Sequence, residues 1–470
     1  MTRANFVRGA FAAALAVLAA LLLVVAYQTR AREVEPAAPT APALTAPNPA
    51  APAVPDGVAG VAGVAAGAPE TYQGFLYGRI TAVGGTTYEG RLRWGTGEEA
   101  FWGDYFNGFK AENPWAAHVP PERLPRERHP IELFGLELAQ RERQVSLGRF
   151  FMARFGDIAR LEARGRDVQV TLKSGTVFHL DRLEASDFDD GVRVWDARRG
   201  VVDLDSLRIL TIDLLPTAQL AAVPMRLHGT VRTGQGDFTG YIQWNREEGV
   251  GTDELDGRSA EGEVSLRYDT LRSIARRAPD SSLVTLLDGR EIVLSAHPEV
   301  GRGNRGIYLD DRRYGRVLIS WDAFERVDFS AATPGTPVGT GPAYDAFPPG
   351  SPLTGSVTTR AGRSLAGRLI YDLDESETTE TLDARGQGVD YTIPFGLIAA
   401  VMPLGPDDRG ARILLHSGEE LELAGSADVD RRHIGLLVFT GASDGPEYVR
   451  WEEVQRIDFD RPPAMYPPLP

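Results

Sequence analysis

The 470-residue chain reads as an all-β protein of three tandem modules, each a pair of small barrels, behind an N-terminal apolar helix and a disordered Pro/Ala linker. Internal repetition carries this reading. Three segments start alike: "GRITAVGGTTYEGRLRW" from Gly78, "GTVRTGQGDFTGYIQW" from Gly229 and "GSVTTRAGRSLAGRLIY" from Gly355. Each is two alternating apolar runs around a Gly-bearing turn, ending in Trp94, Trp244 or Tyr371, which is the signature of a hairpin. Three later segments, "VQVTLKSGTVFHL", "LVTLLDGREIVLS" and "RILLHSGEELELA", repeat the pattern with turn glycines at Gly175, Gly289 and Gly418. Finally, six endings share a bulky-x-x-apolar-x-x-apolar pattern: "FGDIARL", "LDSLRIL", "YDTLRSI", "WDAFERV", "FGLIAAV" and "WEEVQRI".

In chain order, the uncharged run from Ala10 to Ala26 follows Arg3 and Arg8, so residues 1–32 read as a signal peptide or membrane anchor. Residues 33–73, rich in Ala, Pro, Val and Gly, bury no core and favour extended chain. Module one then spans 74–215 with an insertion at 110–144, and module two spans 226–329. A Pro/Gly linker covers 330–352, module three covers 353–459, and a Pro-rich tail closes the chain at 460–470.

Within a module, each hairpin leads through further strands to one of the six endings, whose spacing of three fits a turn of 3₁₀ helix before a last strand. Each unit therefore runs strand, turn, strand, strand, strand, 3₁₀ turn, strand. The middle positions of the endings, Ile158, Leu207, Leu271, Phe324, Ile398 and Val454, alternate short and long gaps, which groups the six units as three pairs. A barrel of about 50 residues is marginal alone, and pairing supplies the missing burial. The order of elements, above all "YTIPFGLIAAV", resembles the SH3-like small barrel, which also places a 3₁₀ turn before its last strand. The resemblance implies a fold only, because the acidic and aromatic ligand signature of SH3 domains is missing.

Composition narrows the function. A formal charge of -15, with no basic run, removes the basis for binding nucleic acid. The chain has no cysteine, hence no disulfide or thiolate site. No cofactor is expected, and no metal, because the seven histidines stand singly without ligand spacing. "GRGNRG", 301–306, has dinucleotide-loop spacing, but strand-like residues follow it where a helix is required. "DLDESETTETLD", 372–383, has oxygen ligands at calcium-loop spacing but carries Glu377 where that loop needs Gly. The repeated aromatics Trp94, Trp244 and Tyr371 read as barrel core. The glutamates four residues beyond them, Glu98, Glu248 and Glu375, read as solvated turns that keep an edge charged.

No catalytic residue emerges, and an enzyme is not expected. The insertion is the most individual stretch, so Trp102, Tyr105 and Trp115 stand as candidate ligand contacts, with a packing cover over a barrel end as the alternative. The sequence thus points to an extracytoplasmic repeat protein of the bacterial envelope, membrane-anchored or secreted, that binds a protein or envelope component without catalysis. The alternatives are a binder of cell-wall glycan or peptide, and an envelope hydrolase.

Overall fold

A computed structural model describes residues 74–463, apart from 96, 121, 123, 125, 134–135, 145–148, 183–184, 219–224, 331–340, 406–408 and 442–444. The expected N-terminal helix and the 33–73 linker lie outside the described residues. The protein is all-β, and the described residues form one compact unit.

Apart from the insertion hairpin of couple one, Arg126–Leu133 with Leu136–Gln144, each couple contains ten strands, in two linear runs of five. In couple two the first run is His228–Thr233, Gly236–Gln243, Glu254–Ser259, Gly262–Arg267 and Leu271–Ala278. The second is Ser281–Leu286, Glu291–Ser295, Ile307–Asp311, Gly315–Ile319 and Phe324–Phe329. The linear order matches the expected unit, but the pairing does not follow it. The first hairpin, His228–Thr233 with Gly236–Gln243, pairs with Phe324–Phe329 on one side and Ile307–Asp311 on the other, both from the second run. Conversely, Leu271–Ala278 of the first run pairs with the second run's opening strand, Ser281–Leu286. Each ring therefore combines the first two strands of one run with the last three of the other, in the order fifth, first, second, third, fourth. Couple one repeats this exchange through the pairing of Tyr77–Ala82 with Ile209–Leu214 and of Thr87–Trp94 with Val192–Asp196. Couple three does so through Thr354–Thr359 with Val454–Phe459 and Ser364–Ile370 with Leu436–Phe439. The expectation of successive self-contained units is thus corrected: the two units of a couple trade hairpins.

The two rings of a couple are joined where their fifth strands pair antiparallel, at Leu161↔Ile212, Ile274↔Val327 and Val401↔Ile457. All six side chains are fully buried. The exchange also explains a glycine pair facing itself across each opening hairpin: Gly78↔Gly90, Gly229↔Gly240 and Gly355↔Gly367. A Cβ at Gly240 would lie 1.9 Å from the Asp310 carbonyl oxygen, and one at Gly90 would lie 1.9 Å from that of Trp195. The borrowed strand approaches too closely for any side chain.

Five of the six endings carry a 3₁₀ turn, and the sixth has a simple turn before Phe324. One ending was read two residues out of register. In "LDSLRILTI" the turn is Ser206–Arg208, capped by Asp205, so Ile209 and Ile212 are buried while Leu207 is 77% exposed.

Couple two joins couple three edge to edge through Gly315–Ile319 and Val389–Pro394. Part of the expected 330–352 linker is packed: Tyr344 and Phe347 are buried against couple one, and the Tyr344 hydroxyl donates to the Ile158 carbonyl at 2.8 Å. The insertion reaches couple three, where Val119 and Leu124 join Ile370, Leu373, Ile434 and Leu437 in a small core.

Gly240→Ala is expected to lower stability by about 2 kcal/mol through overpacking, read as a reduced urea midpoint. An unchanged midpoint would contradict the close approach of the borrowed strand.

Candidate functional site

The hairpin that ends in the repeated aromatic turns back on itself in every couple. Trp94, Trp244 and Tyr371 are buried, as core positions should be; Trp244 and Tyr371 bridge the glutamate four residues on, and the Trp94 amide donates to the Glu98 carbonyl. In couples two and three the turn uses left-handed residues, Asn245 and Arg246, then Asp372 and Leu373. A carboxylate caps each following loop. Asp104 accepts from the amides of Glu99 and Ala100, Asp253 from those of Gly249 and Val250, and Glu380 from those of Ser376 and Glu377. A second carboxylate clasps the third strand: Asp187 accepts from the Asn107 amide at 2.7 Å, Glu299 from Asp256 at 2.9 Å and Asp428 from Asp383 at 2.7 Å.

This construction turns Glu248 and Glu375 inward, which corrects the expected solvated turn. Both are half-buried, and in each Oε2 is buried and accepts no hydrogen bond. Burial, reinforced by the Glu299 carboxylate, pushes Glu248 up to about 8.

Couple three gathers the densest group. Its loop 372–383, the stretch with calcium-loop spacing, faces a lysine from couple one. Lys110, one of only two lysines in the chain, is buried and donates to Asp374 at 2.7 Å and Glu380 at 2.9 Å. Burial alone would lower its pKa, but Glu380 and Asp374 reverse the sign and raise it. Arg149 pairs with Asp372 at 3.0 Å, and the Asp372 carboxylate also accepts from the Ile434 amide. Beside these cations opens a cleft of about 220 Å³ lined by Phe150, Met152, Glu375, Asp383 and Asp428. Burial pushes Asp428 up to about 7, with the Asp383 charge adding to it. Asp383 rises to about 6 by burial, partly offset by the Thr392 hydroxyl. Glu375 is raised by burial and then by Asp374 and Asp428.

The cleft lies between couples one and three. Phe150, Met152 and Asp383 also line an adjoining hollow of about 410 Å³ that extends to Tyr308 and Leu318 of couple two and Tyr391 of couple three. Phe150 is 58% exposed, an apolar lip over an acidic floor. The volume beside Asp428 is small for a cofactor but suits one side chain. The Asp383–Asp428 arrangement nevertheless recurs as the clasp of every couple, which assigns it a structural origin.

The three ligand contacts expected from sequence lie elsewhere. Trp102 and Tyr105 are buried. Trp102 packs between Phe347 and the Arg154 guanidinium, which sits 4.9 Å above its ring, and its carbonyl accepts from Arg226 of couple two at 2.8 Å. Tyr105 lies under Arg316, which pairs with Asp310 at 3.3 Å and Asp104 at 3.5 Å. Trp115 is half-buried against Phe439 and Arg368 of couple three. All three are junction residues. Within the insertion, Trp115, Val119 and Leu124 pack against couple three. "GRGNRG" leads directly into the strand Ile307–Asp311, with Asn304 bridging the Glu299 carbonyl and the Gly306 amide.

Lys110→Ala should cost about 3–5 kcal/mol in chemical denaturation, because it strands two buried carboxylates. Stability should also depend on pH. The folded protein holds protons on Asp383, Asp428 and Glu248 that the unfolded chain, with carboxyl pKa values near 4, has released. The penalty for ionising them therefore grows from about pH 4 and is complete above about pH 8. The unfolding midpoint should fall between pH 5 and pH 8, and Asp428→Asn should flatten that fall. No family model, curated protein or solved structure matches this chain, so the cleft's own chemistry must carry its functional reading.

Proposed function

We propose that this chain is a non-catalytic interaction protein of the bacterial envelope, directed out of the cytoplasm by its N-terminal segment as a membrane-anchored or secreted protein, whose partner docks a cationic side chain in the junction cleft. One observation carries the reading: exposed Phe150 stands beside half-buried carboxyl groups, among which Glu375 Oε2 has no hydrogen-bond partner. An arriving Lys or Arg would ionise those groups and pair with them, while Phe150 would pack on the aliphatic stem. The five-strand order within each ring supports reading it as an SH3-like barrel with exchanged hairpins, a scaffold whose tandem copies hold the cleft rigid. Glycan stacking finds less support, since the rings of Trp102 and Tyr105 are covered by the chain itself.

Zero-length carboxyl-to-amine crosslinking in cells, followed by mass spectrometry, tests this directly. Lys110 of the chain itself lines the cleft, so only a crosslinked peptide from another protein on Glu375, Asp383 or Asp428 would report a partner's amine. We expect such adducts, and at least a tenfold loss of them in Phe150→Ala. Adducts scattered over the other acidic surfaces, or unchanged in that variant, would overturn the reading.

A further inference from the structure

Couple two holds a second cluster, of different composition. Asp256 lies on the strand Glu254–Ser259, whereas His297 and Glu299 lie in the loop after Glu291–Ser295, and one donor atom from each comes within 4.8 Å of the others. Glu299 is 7% exposed. Its Oε2 accepts from the Asp256 amide, while Oε1 faces His297 Nδ1 at 3.7 Å. That Nδ1 is buried and has no hydrogen-bond partner. One Asp256 oxygen is held by the Ser265 hydroxyl, which leaves the other for a ligand. An imidazole nitrogen without a hydrogen-bond partner thus faces a buried carboxylate oxygen, an arrangement that a shared cation satisfies.

The corresponding clasps differ where it matters. Two residues before the clasping carboxylate, couple one has Ala185 and couple three has Ser426, so only couple two presents a ring nitrogen. A nitrogen with two carboxylate oxygens is a donor set for a borderline divalent ion, with solvent in the open position. Tetrahedral donors at about 2.0–2.2 Å from such an ion lie roughly 3.4 Å apart, so the His297–Glu299 edge is nearly at its final length.

We propose that Asp256, His297 and Glu299 bind one divalent cation of the zinc class, completed by water, which fastens the loop after the second hairpin to the third strand. The 41-residue separation of Asp256 from His297 hides the set from any spacing motif.

Calorimetric titration of the chelator-treated full chain with zinc chloride should give one site, undiminished by excess calcium. His297→Ala, on a partly exposed loop, should bind at least tenfold more weakly and should lose the zinc-dependent rise in thermal midpoint. Asp428→Asn, in the junction cleft, should bind like the parent. Absence of uptake, equal uptake by His297→Ala, displacement by calcium, or an equal loss in Asp428→Asn would each overturn the assignment.

Discussion

The antiparallel contact between the two fifth strands of each couple is the constraint on which the remaining architecture hangs. Leu161 with Ile212, Ile274 with Val327 and Val401 with Ile457 place a fully buried apolar pair at the centre of each couple. With that pair fixed, each opening hairpin is brought against the other run's strands. Its facing glycines let the borrowed backbone close in, and two small rings acquire one shared core. A small barrel buries too little surface to be secure alone. Exchange makes neither ring separable from its mate.

The couples are then fastened by charge used sparingly. Of 50 basic residues only Lys110 and Lys173 are lysines, and both lie at junctions. Lys110 enters couple three, while Lys173 sits 3.4 Å from the centre of the Tyr344 ring and donates to the Phe347 carbonyl. An ammonium is compact and turns its protons toward several acceptors, whereas the broader guanidinium needs planar room. Arg226 and Arg316 perform the wider task between couples one and two, where flat stacking on Tyr105 suits a guanidinium. The cleft beside Phe150 arises from this assembly, since no single couple contributes all of its walls.

Much of the fold was legible in the sequence because a repeated pattern averages out local ambiguity. The hairpins, the 3₁₀ turns and the core aromatics follow from periodicity in several copies. Leu207 was misplaced because "LDSLRILTI" offers two registers of apolar residues, and only the Asp205 cap and the burial of Ile209 choose between them. The sequence around Trp102 and Tyr105 points to ligand contacts because a large aromatic before a unique insertion looks alike whether its ring meets a ligand or another part of the chain. The positions of Glu248 and Glu375 suggest solvated groups because a charge near a turn is ordinarily wet. The left-handed turn that points them inward lies in Asn245 and Arg246, then Asp372 and Leu373, neither pair of which contains glycine.

Sequence alone determined the strands, their alternation and their grouping by three, because these depend on which residues prefer burial within a few positions of one another. Tertiary structure decided which run supplies the second half of each ring, since exchanged and unexchanged closures bury the same side chains and differ only in connection. It also decided the acidic floor at the junction and the meeting of Asp256 with His297 and Glu299. Such sites are made by distances across space, and a chain written in one dimension records those only through the fold that closes them.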